Sequence, residues 1–133
     1  MTEFDVKNAL KNYHKLKNSI QRTLEKIEYI EVQQTKVGGS IIKMPENSVQ
    51  NDQRKLGLIE RKSRLEKDLE MYRYYISIAD EFIRLLQEPY KSLIRNKYID
   101  RIENSKLSEV YHYSRQNIDK TINKLIERYI EIT

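Results

Sequence analysis

Between residues 104 and 129 the chain carries polar side chains whose types and order suit the reading of DNA base edges. Ser114 is followed by Arg115, Gln116 and Asn117, and then by Lys120, Asn123 and Lys124 at helical intervals. Arg donates two parallel hydrogen bonds to guanine, and Gln or Asn pairs in the same bidentate way with adenine. The first turn of a helix opening at residue 115 therefore has the chemistry that the major groove demands. Ser114 suits the N-cap of that helix, where its hydroxyl accepts from a free backbone N–H; the same hydroxyl is also a candidate phosphate contact. Lys120, Asn123 and Lys124 are candidates for base or phosphate contact, and Lys106 and Arg101 for gripping phosphates from the preceding helix and turn. Asp119 lies near this face and repels phosphate unless it pairs with Lys120 or Arg115, or accepts from a cytosine amino group.

A short helix, a tight turn and a longer helix must hold these groups. Leu107, Ser108, Tyr111, Tyr113 and Ile118 fall at the spacing of a helix-turn-helix. Ser108 is expected where the two helices cross, which calls for a small side chain. Ile118 and Ile122 are expected to face the core, leaving Arg115, Gln116, Lys120 and Asn123 outward. His112 occupies the turn position usually held by Gly, a strained place for an L-residue if φ is positive. Upstream, Pro89 breaks or restarts the chain's helical run, and Tyr90, Leu93, Ile94, Tyr98 and Ile99 predict another helix before a turn over 100–104.

The first 88 residues predict something different. Over 3–31, Val6, Leu10, Tyr13, Ile20, Leu24, Ile27 and Ile30 or Tyr29 recur at steps of three and four, broken only where Lys17 takes an expected apolar position, the mark of an amphipathic helix. Over about 32–52 the period is lost among Gly38, Gly39, Pro45 and several Asn, Ser and Gln residues, so a loop is expected, with Ile41, Ile42 and Met44 tucked back onto a helix. From about residue 53, Leu58, Leu65, Leu69, Tyr72, Ile76, Ala79, Ile83 and Leu86 form a heptad seam interrupted only at Lys62. The expected fold is all-α: a long antiparallel helical hairpin, coiled-coil-like, over 1–88, followed by a helix-turn-helix domain over 89–133. The seam around Leu65, Leu69, Tyr72 and Ile76 is either an internal core or a surface for oligomerisation or a partner.

Composition narrows the class. The chain has 133 residues, no Cys and a formal net charge of +5. Without Cys there is no disulfide framework and no thiolate metal site. No apolar run approaches the roughly 18 residues that a membrane span needs, and the N-terminus lacks a signal-peptide pattern, so a cytoplasmic protein is expected. Residues 89–133 hold nine Lys or Arg against six Asp or Glu, so the basic surplus is densest where DNA contact is expected. His14 and His112 are too few for a metal site. The ten Tyr residues fall mainly on apolar stripes, where packing with a wet hydroxyl is their ordinary use. No phosphate loop or nucleophile motif occurs; neither an enzyme nor a cofactor is expected.

The stretch Leu86-Gln-Glu-Pro-Tyr-Lys-Ser-Leu-Ile-Arg-Asn-Lys-Tyr-Ile-Asp100 and the two helices after it resemble region 4 of bacterial sigma factors. With its helical N-terminal segment, the Thr-Lys-Val-Gly-Gly-Ser stretch at 35–40 and the long seam helix, the whole chain is similar in layout to small phage transcriptional regulators of the ArpU and RinA type. It departs from the helix-turn-helix pattern at His112, Tyr111 and Tyr113. The resemblance implies a regulator of phage or prophage genes in a bacterial host cell, typically an activator of late genes. Double-stranded DNA is its implied partner, with RNA polymerase and a second copy as further candidates. Two other functions compete: a protein-interaction module acting on a phage or host regulator, and a small DNA-packaging (terminase) subunit.

Overall fold

The computed structural model describes the backbone of residues 1–39 and 45–133, and the side chains of 1–36 and 52–133; the expectation for Ile41, Ile42 and Met44 lies outside the described residues. All regular structure among the described residues is helical: α1 (Glu3–Lys11), α2 (Tyr13–Gly39), α3 (Pro45–Leu85), α4 (Tyr90–Ile94), α5 (Asn104–Tyr111) and α6 (Arg115–Ile132). A π-helical turn, Arg95–Ile99, continues α4. No helix among these is long and apolar enough to cross a membrane.

The single helix expected over 3–31 is broken at Asn12. Thr2 caps α1 through a capping box: its hydroxyl accepts from Asp5 N–H at 3.2 Å, and Asp5 Oδ2 accepts from Thr2 N–H at 2.9 Å. At the other end Asn12 donates its side-chain amide to the Asn8 carbonyl and to Asn8 Oδ1, each at 3.0 Å. This is the competition with helical backbone bonding that Asn brings to a helix interior. The Leu16 N–H bonds back to Asn12 O at 2.8 Å, so α2 begins at once.

The loop expected over about 32–52 is overturned on both sides, because α2 continues to Gly39 and α3 starts at Pro45. The turns at 32–36 expose Val32, Thr35 and Lys36 and half-bury Gln33 and Gln34. A helix that buries no apolar face leaves no periodic signal, although Gln and Lys are good helix formers. Pro45 is pre-organised for the first helical position.

The described chain separates into two compact units. Unit 1 comprises residues 1–17 and 74–133, and unit 2 comprises 18–73. The boundary expected at residue 88 is not where the contacts divide. The reason lies in the core of unit 1. Val6, Ala9, Leu10 and Tyr13 bury with Ile78, Ala79, Phe82 and Ile83 from the end of α3, with Leu93 and Ile94 of α4, and with Leu107, Ile118, Ile122, Ile126 and Tyr129. Residues from both chain ends thus share one core. Phe82 is fully buried, and its ring meets Tyr129 edge-to-face with centroids 5.3 Å apart. Burying a side chain of this size contributes roughly 1.5–3 kcal/mol.

Polar ties join the same elements. Tyr13 donates its hydroxyl hydrogen to Asp80 Oδ1 at 2.8 Å, His14 donates Nε2–H to the Ile99 carbonyl at 2.6 Å, and Asn96 donates to the Tyr111 hydroxyl at 2.6 Å. In the widened turn the Asp100 N–H reaches Arg95 O and the Ile102 N–H reaches Asn96 O, each at 2.9 Å. Glu88 accepts from Ser92 N–H at 3.3 Å and from its hydroxyl at 2.5 Å, closing the first turn after Pro89.

Among the described residues, unit 2 is built from α2 and α3. Thr23, Ile27 and Ile30 are buried along one face of α2, and Ile30 packs with Leu58, with Leu65 against them. Leu69 is buried as well. Of the four seam residues proposed as a partner surface, Leu65 and Leu69 therefore face inward in this unit, Tyr72 is half-buried, and Ile76 packs on the core of unit 1. Among the described residues, the apolar surface that stays open in unit 2 belongs to others, Leu24, Tyr29, Val32, Leu56, Ile59 and Met71.

Candidate nucleic-acid interface

The polar face singled out from the sequence lies on α6, in unit 1. Its inner side is apolar at Ile118, Ile122, Ile126 and Tyr129, all buried. Such a stripe at steps of three and four fixes the rotation of the helix. With that side held down, Arg115, Gln116, Asn117, Lys120, Asn123 and Lys124 are all exposed. Ser114 is the N-cap: its backbone is extended (φ −66°, ψ 156°) and its hydroxyl accepts from the Asn117 N–H at 3.1 Å. The open first turn also presents the positive end of the helix dipole, which favours an anion.

α5 packs on α6, with Leu107 buried against the same core as Ile118. The link is short: His112, Tyr113 and Ser114. His112 takes the left-handed conformation (φ 60°, ψ 30°) that the sequence position implied. Ser108 is half-buried on α5. Its hydroxyl donates to the Tyr113 carbonyl in a short hydrogen bond that clamps the turn onto α5. Tyr111 and Tyr113 pack against the core while the Tyr111 hydroxyl takes the bond from Asn96, so the two aromatic departures are accommodated by the packing. Lys106 is exposed on α5, and Arg101 is exposed in the preceding turn at φ 57°.

Asp119 departs from expectation. It pairs neither with Lys120 nor with Arg115 but with Lys97 of the π-helical turn, at 2.6 Å, and Asn104 donates to its two oxygens at 3.3 and 3.4 Å. These bonds, Lys97 foremost, hold its carboxyl below the usual carboxylate range. The tie is invisible along the chain because Lys97 and Asp119 sit 22 positions apart on different elements. Lys97 Nζ also lies 5.6 Å from the centre of the Tyr98 ring. The Tyr98 hydroxyl is pushed up to about 12 by burial, with the Asp119 charge adding to it.

Two grooves flank α6. One, of about 520 Å³, is lined by Tyr90 and, from α6, by Thr121, Lys124, Leu125, Glu127, Arg128 and Glu131. The other, of about 480 Å³, brings Lys7 and Lys11 of α1 beside Lys97, Tyr98 and Asn104 and beside Asp119, Ile122 and Asn123 of α6. Lys7, Lys11, Lys97 and Asn104 are not among the contact residues that the sequence predicts. The i,i+4 spacing of Lys7 and Lys11 was visible, but what it lies against is decided by the packing of α1 on α6. No known family model, curated protein or solved structure matches this chain.

Proposed function

We propose that α5 and α6 act as a helix-turn-helix, that α6 enters the DNA major groove, and that the chain is a sequence-specific DNA-binding regulator. The observation that carries this reading is the division of α6. One side is fixed in the core by Ile118 and Ile122, while Arg115, Gln116, Asn117, Lys120, Asn123 and Lys124 stand exposed beyond a Ser114-capped first turn. Arg and Gln in that turn suit guanine and adenine, and Lys120 and Lys124 suit phosphate or a base acceptor. The resemblance to ArpU/RinA-type phage regulators and to sigma region 4 agrees with this role, and with action on late genes.

In the same reading α2 and α3 are the arms of a helical hairpin that presents a dimerisation surface. A two-helix unit with so thin a core is short of buried apolar area. A second copy covering Tyr29, Val32, Leu56 and Ile59 would supply it and would bring two DNA readers together.

Selection of bound fragments from randomised duplex DNA by the purified protein tests the proposal, with Arg115→Ala/Gln116→Ala as control. A discrete motif that the double variant loses is the expected result. No enrichment by a folded, helical wild-type protein overturns the reading and leaves a protein-interaction role.

A further inference from the structure

We infer that α1 is part of the DNA-binding surface, with Lys7 and Lys11 gripping the phosphate backbone beside α6. The inference rests on the DNA-binding reading above and extends it to a helix more than a hundred residues away in the chain. Val6, Ala9 and Leu10 anchor α1 in the core of unit 1, and α1 packs directly on α6. That anchoring turns Lys7 and Lys11, one helical turn apart, onto the edge of the groove that also holds Asp119 and Asn123. The groove's rim thus adjoins the face that carries Lys120 and Asn123.

Charge in the groove is one-sided. Four ionic side chains line it: Lys7, Lys11, Lys97 and Asp119. Asp119 is paired with Lys97 and bonded by Asn104, and the Lys7 charge also acts on it from farther off, so the one acid lining the groove is outweighed by three lysines. Among the described residues Lys7 and Lys11 make no ion pair. The acid nearest them along α1, Asp5, is turned back to cap Thr2. Two ammonium groups outside any close ion pair lie at the edge of a cleft beside the candidate reading helix, which is the arrangement that neutralises backbone phosphates. The second groove is less suited to that task, because Lys124 and Arg128 share it with Glu127 and Glu131. A repeating anion with about one charge per 1.7 Å of helix axis, duplex DNA, fits this surplus of lysines flanking a reading helix.

Such contacts position the protein without reading sequence, which gives them a distinct experimental signature. The test measures affinity against salt, from about 50 to 200 mM KCl, on the duplex selected by the wild-type protein and on a scrambled duplex. Lys7→Gln/Lys11→Gln is expected to lower the slope of log affinity against log salt by about 1.8 on both duplexes. Affinity should fall on the order of tenfold or more at 0.1 M salt, with the preference between duplexes retained. Lys7→Arg/Lys11→Arg keeps both charges and should keep the slope, which separates charge loss from damage to α1. An unchanged slope in the Gln variant, on DNA that the wild type binds, overturns this inference alone. A slope lost equally in the Arg variant overturns it too, by assigning the effect to folding. Failure of the wild-type protein to bind either duplex overturns both this inference and the reading beneath it.

Discussion

Unit 1 and unit 2 are made of the same kind of amphipathic helix, yet they bury it in different ways. In unit 1 the end of α3 is surrounded: Ile78, Ala79, Phe82 and Ile83 are all buried, and α1, α4, α5 and α6 supply the rest of the core. In unit 2, among the described residues, only Ile30 and Leu58 form a buried cluster, with Leu65 against it, while Leu56 and Ile59 of α3 stand exposed. A multi-helix core fixes the rotation of every helix in it, which is what an array of base-reading side chains requires. A two-helix unit fixes one stripe and leaves the remaining faces available to a partner.

The contrast is sharpest in core truncations. Phe82→Ala should cost about 3–5 kcal/mol, from lost burial and a cavity that the surrounding helices cannot close. Leu58→Ala should cost about 2 kcal/mol, the low end for such a change, because the thinner site can collapse. Urea unfolding followed by far-ultraviolet circular dichroism gives both numbers. Equal losses would show that unit 2 is as tightly packed as unit 1.

The next effect tests what each unit is for. Arg115→Ala or Gln116→Ala should weaken binding to the selected duplex by about 1–3 kcal/mol, and should leave stability within about 0.5 kcal/mol because both side chains are exposed. Leu56→Glu/Ile59→Glu in unit 2 should do the reverse. It should convert a dimer to a monomer in sedimentation equilibrium while each monomer retains base preference. A wild-type protein that is monomeric at high concentration would leave unit 2 without the second copy proposed for it.

Much of the exposed polar face of α6 was legible because local rules determine it. Ser114 followed by an apolar residue four positions later marks a cap and a helix, and Ile118 with Ile122 marks the buried side. The all-helical class followed from the same periodicity. Membership of the core was less legible. The stripe at Val6, Leu10 and Tyr13 looks the same whether it faces α3 or α6, so nothing in it revealed that the N-terminal helix joins the C-terminal ones. Phe82 and Ile78 lie off the heptad seam, and they became core because the end of α3 is covered on several sides. The polar turns at 32–36 carried no period to read. The Lys97–Asp119 pair and the groove at Lys7 and Lys11 arise only from tertiary packing.

The turn between α5 and α6 should show a smaller and more local effect. Ser114→Ala removes the cap of α6 and should cost about 1 kcal/mol. Ser108→Ala leaves the Tyr113 carbonyl without its hydroxyl donor and should cost a similar amount, about 1 kcal/mol. Both side chains hold the same three-residue link, so the double variant should differ measurably from the sum of the singles. Additive losses would indicate that cap and clamp act independently. The same variants introduced against Leu58→Ala, in the other unit, provide the additive control.

The smallest effect concerns Asp119. Lys97 and Asn104 hold its carboxyl below the ordinary value, so the folded state releases this proton more readily than the unfolded chain. The stability this contributes is present above the usual carboxylate pKa and is lost as pH falls through the lowered folded value. The Asp119 side chain is largely exposed, at 58%, so solvent screening limits the contribution to under about 1 kcal/mol. Asp119→Asn should therefore unfold at slightly lower urea than the wild type near neutral pH, and the two should converge in strong acid. DNA binding should move the other way, because removing the carboxylate frees Lys97 and raises the positive charge of the groove shared with Lys7 and Lys11. A variant that is slightly less stable yet binds duplex DNA more tightly, with a steeper salt dependence, would mean that the groove meets phosphate. Weaker binding by Asp119→Asn would instead assign the carboxylate to a base contact, as acceptor from a cytosine amino group, and would move the DNA edge from α1 toward α6 itself.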